Sequence, residues 1–415
     1  MPAQDIRLYP RATLALLTGL NLFNYIDRYV LFAVQPLIQA EFKVSDTDLG
    51  LLTTGFLICY MVSAPLIGLV ADRVSRKWII IGGAVVWSVA TLLTAATYDY
   101  RTLFIRHMIV GVGEASFVAL APAFISDLFP EEKRGRALGI FYVAFGMGPG
   151  IGYLLGGHLG HDYGWRAPFY VGAIPGVILA AAMMFIPEPK RGATDTIPDT
   201  RERTSWRGLF SNGAFWTATF GMAMINFAIG GLSDWMPTFL VRVHGMQLNH
   251  ANYVFGSITV VNGIAAALLG GWLGDRLLRR TSAAYYMLSA VAMLLAVPIM
   301  YVAIHSSGNL MFATVAIGEF LLLLNTSPLN AALVDSVSGR IRASAIALNL
   351  FVSHALGDAI SPTLIGYISD RRSLQTGFLA TIVAVVVGVV MLFYGMRFAP
   401  RIHISSSEES TGVTV

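Results

Sequence analysis

The chain has 415 residues, of which 55% are hydrophobic and 13% charged, against about 25% charged in a soluble domain. With a mean hydropathy of +0.65, this excludes a water-soluble globular protein and points to a chain that crosses a membrane many times. The net charge of +4 is scattered rather than gathered into the patch of a nucleic-acid binder, and the single Cys59 excludes an internal disulfide or a Cys-rich metal site.

Arg7 and Arg11 precede a first apolar run, 12–38, that is too long for a cleavable signal peptide and lacks a small-residue cleavage site, so none is expected. The run is long enough to span a bilayer as a helix, yet its middle reads Asn24-Tyr25-Ile26-Asp27-Arg28-Tyr29. A charge at that depth costs about 2.5–3.5 kcal/mol on insertion scales. Neighbouring residues lie about 100° apart on a helix, so Asp27 and Arg28 cannot share a face. Each needs a partner on another helix or in a wet cavity.

Further apolar spans run over 48–71, 78–98, 102–127, 136–160 and 166–187. A polar linker follows, and then six more spans over 211–241, 250–274, 282–304, 309–334, 343–368 and 374–396. The expected fold is an all-α membrane protein: twelve transmembrane helices in two pseudo-symmetric six-helix bundles. The expected boundaries are an N-terminal bundle over 1–187, a linker over 188–207, a C-terminal bundle over 208–398 and a disordered tail over 399–415, rich in Ser, Glu and Thr. Twenty Lys and Arg residues fall on the side that holds both termini and the linker, and six fall on the other, with Arg28 and Arg106 inside spans. The positive-inside rule then places the termini and linker in the cytoplasm of a cell whose inner membrane the chain crosses.

The halves repeat. Gly68-Leu69-Val70-Ala71-Asp72-Arg73-Val74-Ser75-Arg76-Lys77 follows span two, and Gly271-Trp272-Leu273-Gly274-Asp275-Arg276-Leu277-Leu278-Arg279-Arg280 follows span eight at the same spacing. Gly113-Glu114 in span four is echoed by Gly318-Glu319 in span ten, and Arg134 and Arg136 by Arg340 and Arg342. Parallel halves with a site near the midplane are a secondary-transporter design.

The twice-repeated Gly-x-x-x-Asp-Arg-x-x-Arg-Lys/Arg loop resembles the signature loop of the major facilitator superfamily, with Ser75 and Leu278 where its glycine usually stands, and the resemblance covers the whole chain. Gly146-Met147-Gly148-Pro149-Gly150-Ile151-Gly152 in span five, with Gly156-Gly157, resembles the superfamily's antiporter motif. Asn24 to Tyr29, Val110-Gly111-Val112-Gly113-Glu114-Ala115-Ser116 and Asp127-Leu128-Phe129 are similar to Spinster-type lysolipid transporters, including bacterial homologues. The resemblance implies proton-coupled movement of lysolipid-like or sphingosine-phosphate-like amphiphiles, with the span-one Asp and Arg and the span-four Glu as functional residues. The span-four arginine common in the superfamily falls on His107, and Arg106 stands one residue earlier.

Read by their chemistry, the candidates sort as follows. Arg28 offers a permanently charged fork for a carboxylate or phosphate; its plainer role is partner to an acid on a neighbouring helix. Asp27 and Glu114 are proton carriers or else fixed ion-pair members. His107, seven residues before Glu114 on the same face, is a pH sensor or a hydrogen-bonded core histidine. Tyr25, Glu319 and Asp358 (with His354 one turn before it) are expected to join Arg28 and Glu114 around the substrate, while Asp234 lies near the outer end of span seven. Asp72, Arg73, Arg76, Asp275 and Arg276 are expected to form latches that hold one access state, or simply to mark topology. Gly148, Gly152 and Gly156 permit close helix approach, and no strand precedes them as a nucleotide loop would require.

The expected function is proton-coupled transport of an anionic amphiphile by alternating access. An organic-anion:proton symporter for sugar or aromatic acids, or a drug-type efflux antiporter, is the alternative. No enzymatic motif, cofactor or nucleic-acid partner is expected. The expected partners are a small-molecule or lipid substrate, protons and the bilayer, with the chain acting as a monomer.

Overall fold

A computed structural model of the protein describes residues 5–71, 73–191, 206–337 and 341–399. Asp72, Arg340, most of the linker and the tail beyond 399 lie outside the described residues. The first half consists of α1 (Asp5–Phe42), α2 (Asp46–Ala71), α3 (Arg76–Ala95), α4 (Tyr100–Ser126), α5 (Glu131–Tyr163) and α6 (Ala167–Met183). A short α7 (Trp206–Phe210) leads to α8 (Gly213–Arg242), α9 (Leu248–Leu278), α10 (Ala284–His305), α11 (Gly308–Leu323), α12 (Thr326–Asp335), α13 (Arg342–Leu356), α14 (Ser361–Arg371) and α15 (Leu374–Gly395). Side-chain caps fix several starts. Ser75 accepts from the Trp78 amide, Asn212 from Phe215 and Ser373 from Thr376. Asp99 caps α4, and the hydrogen bonds from Thr102 hold its carboxylate below the usual range.

Among the described residues, ten helical stretches are long and apolar enough to cross a membrane, counting α11 with α12 and α13 with α14 as one stretch each. The shorter apolar α6, and α1 with its two internal charges, complete twelve spans. Spans ten and eleven were expected to be continuous, but each is broken. Span ten breaks at Leu324 and Asn325, where the Asn325 amide donates to the carbonyls of Leu321 and Leu322. Span eleven breaks after Leu356, where Gly357 leaves the helical backbone (φ −99°, ψ −110°) and lies so close to α8 that a Cβ there would sit 2.7 Å from Asn226 Cβ and 2.8 Å from Ala223 O. Irregular backbone at membrane depth survives only where protein or a wet cavity covers it.

Glycine sets how closely the spans approach. On α5, a Cβ at Gly148, Gly152 or Gly156 would stand 2.3, 2.7 or 2.4 Å from the Cβ of Tyr25, Tyr29 or Ala33, so α1 lies directly along this face. A second face of α5 meets α9 in the other half: Gly150 abuts Val260 and Gly157 abuts Asn252. A matching seam joins α2 to α14, where a Cβ at Gly50 would lie 2.4 Å from Pro362 O and one at Gly366 would lie 2.3 Å from Asp46 O.

The apolar core shows which way the molecule opens. Towards the face opposite the termini (the distal face), one cluster runs across both halves, from Val34, Leu49 and Leu52 to Trp235, Phe239 and Phe378. Towards the terminus-bearing face the packing separates. Phe117, Phe124 and Phe141 belong to a cluster of the first half to which the second half adds only Ala359, and Tyr286, Met293 and Leu322 belong to a cluster of the second half. The two halves are thus sealed together distally and part towards the termini.

Candidate functional site

Where the halves part, α1 turns Arg28 towards α2 and α4. Its Nη2 donates to Glu114 Oε2 at 2.7 Å, with the Glu114 side chain fully buried and that of Arg28 19% exposed. Aromatic rings enclose the guanidinium: Cζ lies 4.8 Å from the Phe56 ring centre, 5.5 Å from Tyr60 and 5.6 Å from Tyr25. Such faces attract a cation most strongly when water is excluded. The pair is incompletely satisfied: Arg28 Nε and Glu114 Oε1 are both buried without a hydrogen bond of good geometry, and Asn24, one turn before Arg28, is the other polar side chain acting on the Glu114 carboxyl. Each such group costs about 1–3 kcal/mol, so the guanidinium retains bonding capacity for another anion.

Asp27, next in sequence to Arg28, points elsewhere, as helical geometry demands. It is buried between α3 and α6; Oδ2 accepts a long 3.5 Å bond from Thr91, and Gly172 leaves the room in which Oδ1 sits unpartnered. His107 is buried with its ring stacked on Phe56 at 5.2 Å, which puts it behind Arg28 rather than in open space. Arg106 faces away, with Nη1 bound to Leu93 O and to Thr97 Oγ1 at the end of α3.

The second half contributes a different pair. In the break of span eleven, Asp358 packs on Gly230 of α8 and both its oxygens lie 2.9 Å from His354 Nδ1. Asp358 and Arg28, from opposite halves, both act electrostatically on Tyr29 and Tyr60, so acid and base lie in one neighbourhood. Glu319 also acts on Tyr29 but is held from α9. Its oxygens accept from Thr259 at 2.8 Å and Asn262 at 3.0 Å on α9, and it lines an inner pocket with Leu232, Met236, Phe255 and Met300.

Of the expected latch residues, Arg76 pairs with Asp127 of the first half at 2.6 Å and with Glu188, the first residue of the linker, at 3.8 Å. Arg73 is exposed, Asp275 accepts from the Tyr285 hydroxyl at 3.0 Å, and Arg276 lies over its neighbour Trp272 at 5.6 Å. None of these contacts joins the halves, and Asp72 lies outside the described residues. The ion pair that does join them is distal and went unnoticed in the sequence. Asp46 on α2 accepts from Arg242 of α8 at 2.9 and 3.1 Å, from Gln39 at 2.7 Å and from Ser369 at 2.5 Å. In return Asp370 accepts the Asp46 and Thr47 amides at the start of α2, at 2.8 and 2.9 Å. Acidic residues in a helix's first turn ordinarily answer its dipole, which is why Asp46 gave no other signal.

This geometry is that of a transporter seen with one face open, and known proteins agree. The family model described as Major Facilitator Superfamily matches residues 17–355. The chain is 38% identical over 381 residues to Protein spinster homolog 3 of Danio rerio, covering 86% of this chain and 76% of the relative. It is 35% identical over 397 residues to Sphingosine-1-phosphate transporter SPNS2 of the same organism, covering 89% and 77%. Its fold matches that of a bacterial homolog of the human lysosomal transporter Spinster, solved inward-facing and unoccupied, with a TM-score of 0.87 at 24% identity over 94% of this chain and 98% of that one. The chain belongs to the major facilitator superfamily and is, within it, a Spinster-like transporter.

Proposed function

We propose that the protein moves an anionic amphiphile, a lysolipid or a sphingosine-phosphate-like molecule, across the inner membrane by alternating access coupled to protons. The termini and linker face the cytoplasm in this reading, supported by the concentration of basic residues on their side, and the structure described is then an inward-facing state. The two bundles, 1–187 and 208–398, rock about the α5–α9 and α2–α14 seams.

The observation that carries the reading is the unsatisfied Arg28–Glu114 pair at the chamber wall. A phosphate that takes the Arg28 fork draws it from Glu114. Stripped of its counter-charge in a dry setting, Glu114 then favours the protonated form. Anion binding and proton binding therefore promote one another. The His354–Asp358 pair opposite suits an ammonium in the same headgroup. Asp27, buried against α3 and α6, holds the α1 register that aims Arg28, and any proton it carries moves with that helix. An amphiphile rather than a sugar acid is favoured by the aromatic walls around Arg28 and by the substrate that the SPNS2 relative's name gives. A proton that moves with a monoanion carries no net charge, so the pH gradient is the driving force, and one pH unit supplies about 1.4 kcal/mol, enough to hold a substrate gradient of roughly tenfold.

Flux of lysophospholipid into proteoliposomes under an imposed pH gradient tests this directly. Transport that collapses with a protonophore and in Arg28→Ala is expected. Gradient-independent flux makes the protein a passive scramblase instead. Thermal stabilisation of the purified protein by glucuronate but not by lysophospholipid overturns the amphiphile.

A further inference from the structure

Another fully buried acid, Asp234 of α8, belongs to neither the central pair nor the distal clasp. It lies in the layer between the chamber and the Asp46–Arg242 clasp. Thr53 of α2, from the other half, donates to its Oδ1 at 2.5 Å. Oδ2 is buried with no hydrogen bond of good geometry, and the other polar group acting on the carboxyl is the Gln35 amide of α1, also from the first half. Both neighbours that serve Asp234 are therefore lost when the halves separate at this level.

The surrounding charges are committed elsewhere. Arg242 and Asp46 hold each other about two turns nearer the distal face. Tyr153 of α5 spends its hydroxyl on Ser233 O at 2.6 Å, and Asp370 of α14 turns to the α2 amides. Asp358 pairs with His354, and Glu319 is held from α9. Among the described residues no cation is ion-paired with Asp234. A carboxylate sealed in such a place, offered one hydroxyl and one amide, is disfavoured as the anion. As the neutral acid it fits, with Oδ1 still accepting from Thr53 and no net charge left in the sealed layer.

We propose that Asp234 is a proton-binding site that governs the distal closure: it is neutral while the halves are sealed around it and is released to ionise when distal water reaches it. Protons from the distal side would thereby drive closure on that side and opening towards the termini. The proposal rests on the alternating-access reading but not on the Arg28–Glu114 exchange.

Its test uses the full chain in lipid nanodiscs, with Cys59→Ser and spin labels on Cys introduced at Lys43 and Gln247, exposed positions on distal loops of opposite halves. In this background the ratio of closed to open distances should fall as pH rises, by up to about tenfold per pH unit for a single site. Asp234→Asn should stay closed with that slope flattened, whereas Glu114→Gln should keep it. An unchanged slope in Asp234→Asn, or a slope lost in Glu114→Gln instead, overturns the proposal. The second outcome leaves the central pair as the proton site, so the two readings fail separately. A second measurement does not depend on Asp234 variants folding. The closed protein should show a carboxylic C=O infrared band that shifts in Thr53→Val, which removes the bond to Oδ1; a missing or unmoved band overturns the proposal as well.

Discussion

Two of the arginine–carboxylate pairs that tie helices together, Asp46–Arg242 and Arg28–Glu114, are built to opposite standards. At the distal face, Asp46 meets Arg242 through both oxygens and gains Gln39 and Ser369 besides, so that all its lone pairs are used. In the chamber, Arg28 meets Glu114 through one bond and leaves a buried nitrogen and a buried oxygen without a hydrogen bond of good geometry. A buried pair gains little net stability unless its remaining valences are met. The saturated pair is therefore a fastening between the halves. The unsaturated one is poised for exchange, because a ligand that completes it loses little by displacing its partner.

Breaking the unsaturated pair should have the larger effect. Truncating one member of a buried charge pair costs about 2–5 kcal/mol in binding, so Arg28→Ala should weaken lysophospholipid affinity at least roughly thirty-fold, as measured by titration calorimetry in nanodiscs. Unchanged affinity would make Arg28 a structural partner of Glu114 and nothing more. The fastening comes second. Asp46→Ala strips Arg242, Gln39 and Ser369 of their acceptor, and bonds to a charged group are worth about 1.5–3 kcal/mol. It should move the closed-to-open ratio at the distal labels by about ten- to a hundred-fold while leaving affinity at Arg28 intact.

The uneven legibility of these features in the sequence has physical causes. Asp27 and Arg28 stood out because two charges in an apolar run have nowhere ordinary to go, and helical spacing alone sent them to different neighbours. Glu114 stood out for the same reason. Thr91 and Gly172, which receive Asp27, did not, since a threonine and a glycine carry no cost at membrane depth that would flag them. The four-residue glycine repeat of α5 announced a close contact, and α1 fills it; the offset pair Gly150 and Gly157, which receives α9, was hidden inside the same motif. Asp46, Arg242 and Asp370 stand at helix ends, where charges are common, so their joint role is visible only once the halves are docked. The break at Gly357 is flanked by His354, Asp358 and Pro362, and the first two read in the sequence as site residues rather than as a helix end. The repeated basic loops proved least informative about contacts, because Arg76 finds Asp127 in its own half and Glu188 at the start of the linker.

The two remaining changes are subtler, and each isolates one property of the comparison. Glu114→Gln keeps the shape of the central pair but removes its charge. Wild-type anion affinity should fall as pH rises, by up to about tenfold per unit where Glu114 titrates, because ionised Glu114 competes for Arg28. The variant should bind with a nearly flat pH profile and take up no proton, as read by a pH-indicator dye during titration. A profile as steep as wild type would assign the linkage to another group.

Ser369→Ala asks whether saturation itself matters at the distal clasp. It removes a single bond to Asp46 Oδ2 and leaves both Arg242 contacts and Gln39 in place. A single bond to a charged group sits at the low end of about 1.5–3 kcal/mol when other donors remain, so the closed-to-open ratio should fall by about tenfold, short of what Asp46→Ala does by removing every bond at once. If this variant opens the distal face as far as Asp46→Ala does, the clasp depends on one hydroxyl rather than on shared satisfaction. Redundancy would then no longer separate the fastening from the exchangeable pair, and the orientation of the two pairs relative to water would have to explain their different roles.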